Sequence, residues 1–93
     1  MNIIEFIKSN KCDEADLLEY ITDNNVEIAI AAAASPKATG ALLDIAARDK
    51  DKRVRMAALN NPNIEKRTVE TLKKDSDLEI SQKAEEVLKG MKL

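Results

Sequence analysis

Histidine and tryptophan are absent from this chain, cysteine occurs once, and Phe6 and Tyr20 are its only aromatic residues. Each absence removes a class of chemistry. Without histidine there is no usual general base or metal ligand, and no Ser-His or Cys-His nucleophile pair. A lone Cys12 can close no internal disulfide and build no thiolate zinc centre, and it fits a reducing, cytoplasmic setting. Its one basic neighbour, Lys11, does not make it a reactive thiolate. Adjacent acids such as Asp13 with Asp16, or Glu85 with Glu86, have no base or aromatic wall to set their pKa values apart, so they read as solvated. No apolar run approaches the roughly 20 residues of a membrane span. The opening MNIIEFIKSN carries Glu5 and Lys8 inside its apolar stretch, which is not a signal-peptide pattern. No catalytic, cofactor-binding or metal-ligating residue is expected, and the chain is not expected to be an enzyme.

What remains is a small, charged, aliphatic chain. Its 93 residues are 44% apolar and 34% charged, with a formal net charge of −2. That length suits one domain, 1–93. A core short of aromatics and rich in alanine favours closely packed helices over a sheet sandwich.

The sequence also repeats itself. DNNVEIAIAAAASP (23–36), DKDKRVRMAALNNP (49–62) and DSDLEISQKAEEVL (75–88) begin 26 residues apart. A fixed period of this size marks an array of helical units. Periodicity predicts helices at about 2–9, 13–22, 26–34, 37–48, 52–60, 64–74 and 78–89. Asp13 and Asp51 are the expected N-caps of the second and fifth, and Asp23-Asn24-Asn25 is a turn cluster. Pro36 suits the first turn of the fourth helix, and Asn61-Pro62 is expected to end the fifth. Gly40 weakens its helix by roughly 1 kcal/mol, in return for close approach of a neighbour. Residues offset by 26 fall into rows: Leu17, Leu43 and Val69; Tyr20, Ala46 and Leu72; Ile28, Val54 and Ile80; Ala32, Ala58 and Ala84. These rows are the expected core. The expected architecture is all-α, a short α-solenoid of about seven helices in three and a half hairpins.

The run Asp51-Lys52-Arg53-Val54-Arg55-Met56-Ala57-Ala58-Leu59 resembles the HEAT-repeat signature, D-x-x-V-R followed by an alanine-rich helix. With Asn61-Pro62, Val69, Leu72 and Asp75 it is similar to the leucine-rich-repeat variant, a HEAT-like family with an Asn-Pro step between its helices. The resemblance is good over 49–75, fair over 23–49, where Ala29 stands at the position of Arg55, and fades toward both ends, where Asn10 replaces the proline and Ser81 the arginine. It implies a right-handed solenoid that acts as a scaffold for protein partners, with Arg55 pairing structurally with turn aspartates.

Several stretches invite a site. Asp75, Asp77, Glu79 and Glu86 have EF-hand spacing, but Ile80 stands where that loop needs glycine. The run Arg48, Lys50, Lys52, Arg53, Arg55 could follow phosphates, so a nucleic-acid-binding module is the alternative function. Interleaved Asp49 and Asp51 and the lack of nearby aromatics weigh against it. Charge is uneven: residues 1–30 hold two bases against seven acids, and residues 31–74 hold ten bases against five acids. If Val69 and Leu72 face the core, the second helix of each pair turns an outer strip to solvent. Leu18 and Ile45 would be its apolar anchors, with Arg48, Arg67 and Lys74 as its charged rim. Rotation of those helices would instead make Leu18 and Ile45 core. The strip predicts a monomeric, non-catalytic protein-interaction module whose partner carries acidic residues.

Overall fold

The computed structural model describes residues 2–91 and is all-helical over them. Seven helices follow in order: α1 (Ile3–Lys8), α2 (Glu14–Tyr20), α3 (Val26–Ala33), α4 (Gly40–Ala46), α5 (Lys52–Asn60), α6 (Lys66–Leu72) and α7 (Leu78–Met91). No described helix is long and apolar enough to cross a membrane.

Short polar side chains start the helices. Asp13 and Asp16 form a reciprocal capping box on α2, and Asn25, Thr39 and Asp51 accept from backbone N–H groups opening α3, α4 and α5. Each satisfies a donor that the first helical turn leaves without a partner. The turns before α3, α5 and α7 share one bond. Asp23, Asp49 and Asp75 each accept from the N–H two residues on, at 2.8 Å in all three cases.

Two helices begin later than their periodicity predicts. α4 starts at Gly40, not Lys37, and α6 at Lys66, not 64. Pro36 lies in a separate turn that precedes its helix, not in its first turn, and Pro62 lies in the matching turn after the end of α5 at Asn60. Ala38 N–H donates to the Ser35 carbonyl and Ile64 N–H to the Asn61 carbonyl, each at 3.1 Å. Proline therefore occupies the second position of a β-turn, where its fixed φ is equally at home. Side chains reinforce both turns: Ser35 Oγ accepts from Lys37 N–H, and Asn61 Oδ1 from Asn63 N–H. The C-terminal ends of α2, α4 and α6 also fall two residues short of the predicted 22, 48 and 74.

Packing follows side-chain size. α1 lies against α3, α3 against α5 and α5 against α7, while α2 packs on α3, α4 on both α3 and α5, and α6 on α7. Close side-by-side approach thus belongs to the first helices of the pairs. The reason is alanine: Ala29, Ala32, Ala33, Ala58 and Ala84 are buried on the odd-numbered helices and let backbones come together. The even-numbered helices hold Leu17, Leu42, Leu43, Val69 and Leu72 inward instead, and these keep backbones apart. Ala32, Ala58 and Ala84 are all fully buried, as are Leu17, Leu43 and Val69. Tyr20 and Ile28 are only half-buried. Gly40 does mark a close approach, since a Cβ there would lie 2.7 Å from the Glu65 side chain.

The caps carry a pH dependence. Asp51 is held at about 2, chiefly by hydrogen bonds from the Arg53 side chain and then its backbone N–H. Asp77 is lowered chiefly by the Ile80 N–H, and Asp13 chiefly by the Asp16 N–H. A carboxylate whose folded pKa is depressed stabilises the fold above its unfolded value of about 4, and that stability is lost as pH falls toward 2. Tm should therefore drop between about pH 4 and pH 2. In a triple Asp13→Asn, Asp51→Asn, Asp77→Asn variant the same melts should show a shallower slope. An unchanged slope would assign acid sensitivity to other carboxylates.

Candidate functional site

The strip on the even-numbered helices is open to solvent. Leu18 on α2 is 55% exposed and Ile45 on α4 is 38% exposed, so neither is core. These helices are not rotated inward, because Leu17, Leu42 and Leu43 already fill the inner face. Ala15, Glu19, Thr22, Ala41, Glu70 and Thr71 are exposed beside them.

The charged members of the strip differ in their ties. Arg48 Nη2 donates to Asp44 Oδ2 at 3.1 Å across one helical turn, with the arginine side chain 74% exposed. Thr68 Oγ1 donates to the other oxygen, Asp44 Oδ1, at 3.2 Å, so Asp44 joins α4 to α6. Arg67 Nε pairs with Glu65 at 3.2 Å, and Glu65 is the residue lying against Gly40. Exposed pairs like these contribute about 0–1 kcal/mol, which leaves both guanidinium groups available for exchange with a partner. Arg67 and Lys74 line one shallow depression of about 560 Å³ on α6, with Glu70, Thr71 and Lys73. Leu18 is two even-numbered helices away from it.

The basic run is differently disposed. Lys52 lies 3.5 Å from Asp77 and 3.7 Å from Glu79, and Arg53 pairs with Asp51 at 2.9 Å. Arg55 is held between Asp75 and the carbonyls of Asp49 and Lys50. A phosphate backbone would have to displace Asp75 from Arg55, whereas the exposed pairs of Lys52 and Arg53 exchange as readily as those of the strip. Asp75 and Asp77, two of the EF-hand positions, are occupied as turn and cap acceptors. Cys12 is fully buried, and burial pushes its thiol upward, with Asp16 and Asp13 adding and Lys37 opposing. A raised thiol pKa makes a poor nucleophile at neutral pH.

Two apolar surfaces lie outside the strip. A groove of about 380 Å³ runs over α5, floored by Ile30, Met56 and Ala57 and edged by Lys52, Asn60 and Glu79. At the α1 end, Ile3, Phe6 and Tyr20 line a second hollow with Asn2. Their signal in the sequence is the offset of 26: Ile4, Ile30 and Met56 form one row, and Phe6 heads the row of Ala32, Ala58 and Ala84. None of the family models, curated proteins or solved structures compared with this chain matches it.

Proposed function

We propose that this chain is a non-catalytic protein-interaction scaffold, a short right-handed α-solenoid of HEAT-like units of the leucine-rich-repeat-variant type. Hydrogen bonds recurring at the sequence period support the unit reading. Lys37 Nζ donates to the carbonyls of Asn10 and Cys12, and Asn63 Nδ2 to those of Pro36 and Ala38, all at 2.9 Å. Each donor thus reaches back 27 and 25 residues, and the two donors are themselves 26 apart. The order α1, α3, α5, α7 of neighbouring helices supports it too.

The observation that carries the interaction reading is solvent exposure of Ile45 on α4, near Arg48, with Leu18 exposed on α2 and Arg67 and Lys74 exposed at α6. Apolar anchors within a charged rim are what protein interfaces use for affinity and steering. The partner surface carries acidic residues, and the module works in the cytoplasm as a monomer.

Partner captured from native lysate on the immobilised chain should be lost, or bound about tenfold more weakly, with Arg48→Glu/Lys74→Glu. Glu85→Lys/Glu86→Lys, on α7, should leave capture intact. Both pairs are exposed, so circular dichroism should show folded protein in each case. The opposite pattern, with only the α7 pair abolishing capture, would place recognition elsewhere. A salt-sensitive gel shift with duplex or single-stranded DNA would favour the nucleic-acid alternative.

A further inference from the structure

The two ends of the helix row are unlike. In the later units, the positions matching Phe6 and Tyr20 are closed, with Ala32, Ala46, Ala58, Leu72 and Ala84 at most 2% exposed, whereas of those matching Ile3 only Ala29 is buried and Arg55 and Ser81 are partly exposed polar residues. Each of those units has another helical pair before it. α1 and α2 have none among the described residues, and there Ile3 is 43% exposed while Phe6 and Tyr20 are half-buried. At the other end α7 turns Gln82, Glu85, Glu86 and Lys89 to water, on a stripe headed by Leu78, which is 69% exposed. A polar outer face is what a terminal unit needs for solubility. The α1 end shows the reverse, with the chain's only two aromatic rings packed edge to face, centroids 6.5 Å apart, beside Ile3.

The charge around this face chooses among possible occupants. Glu5 sits at its edge, accepting from Asn2 Nδ2 at 2.9 Å. Glu19 precedes Tyr20, and Asp23 N–H bonds the Tyr20 carbonyl. Lys8 projects from α1 at helical spacing well round from Phe6. Residues 1–30 hold only Lys8 and Lys11 against seven acids. A second copy docked face to face would bring these acids together, and a copy docked by its α7 end would offer Glu85 and Glu86 against Lys89. Both meet like charge, which disfavours self-association.

We propose that the Ile3–Phe6–Tyr20 end face docks a basic amphipathic helix of another protein, laid along α1 as one more helix of the row. Its apolar side covers the two rings, and its lysines or arginines meet Glu5, Glu19 and Asp23. This surface is separate from the even-helix strip, although the comparison of ends rests on the same unit reading.

The test uses the full chain and two synthetic helical peptides of equal length, one of leucine and lysine in heptads and one of leucine and glutamate. Titrations followed by ¹⁵N and ¹³C-methyl NMR should map the lysine peptide to Ile3, Phe6 and Tyr20, with no binding of the glutamate peptide. Phe6→Ala should weaken the lysine peptide about tenfold or more. Glu5→Lys/Glu19→Lys, which disturbs no buried group, should weaken it severalfold and flatten its salt dependence. Arg48→Glu/Lys74→Glu should not change it, so loss of the strip and loss of this face are separable. Equal binding of both peptides, shifts mapped to another surface, or sedimentation showing a dimer that Phe6→Ala dissociates would each overturn the proposal.

Discussion

Asn61→Leu is expected to destabilise the fold by about 2–4 kcal/mol. Asn61 is 4% exposed, and its Nδ2 donates to the Ala33 carbonyl at 2.9 Å and the Ser35 carbonyl at 2.8 Å. The Ala33 carbonyl belongs to the last turn of α3, where helical geometry supplies no partner. The end of one helix is therefore capped by a side chain 28 residues further along. Leucine would strand that carbonyl and remove the acceptor for Asn63 N–H. Asn61→Ser restores the residue found at the matching position 35: it keeps the local turn and loses only the long-range bonds. It should cost about half as much. Urea denaturation with an unchanged m-value is the measurement. If both variants stayed within about 0.5 kcal/mol of the parent, the bonds would contribute nothing net.

Arg55→Met should cost about 2–3 kcal/mol, somewhat below the 3–5 kcal/mol of a wholly buried pair because both partners keep slight contact with water. Arg55 Nε lies 2.8 Å from Asp75 Oδ2, with the two side chains 14% and 9% exposed. Methionine fills the space of the stem but leaves the Asp75 charge half-sealed in a poor solvent. It also removes the donor to the carbonyls of Asp49 and Lys50. Asp75→Asn keeps an acceptor for the Asp77 N–H, so the pair can be isolated in a double-mutant cycle. Its coupling energy should reach about 1–2 kcal/mol. Simple additivity would mean the guanidinium acts through the carbonyls alone.

Much of the helical framework was legible because it depends on chemistry a few residues wide. Asp13, Asp51 and the Asp23-Asn24-Asn25 cluster cap or turn where their side chains reach the adjacent backbone. The alanine row was legible from its offset. The starts of α4 and α6 were not, because proline suits both a β-turn and a first helical turn, and Ser35 and Asn61 tip the balance by bonding their own backbone. Of the candidate strip, which residues point outward followed from helical spacing. Whether Leu18 and Ile45 did depended on rotation, and that was decided by Leu17 and Leu43 filling the space beneath.

The sequence by itself determined that this chain is helical, where the turns before α3, α5 and α7 fall, and which small residues recur every 26 positions, since those properties are set within one or two helical turns. Only the tertiary structure decided the rest. It paired Arg55 with Asp75, sent Lys37 to the carbonyls of Asn10 and Cys12, and used Asn61 to close the end of α3. It brought the first helices together, not the second, and left Ile3, Phe6 and Tyr20 uncovered at one end. Those side-chain bonds span 20–28 residues of chain. They depend on how closely and at what rotation helices meet, which the volumes of all the packed side chains settle jointly and no local stretch of sequence contains.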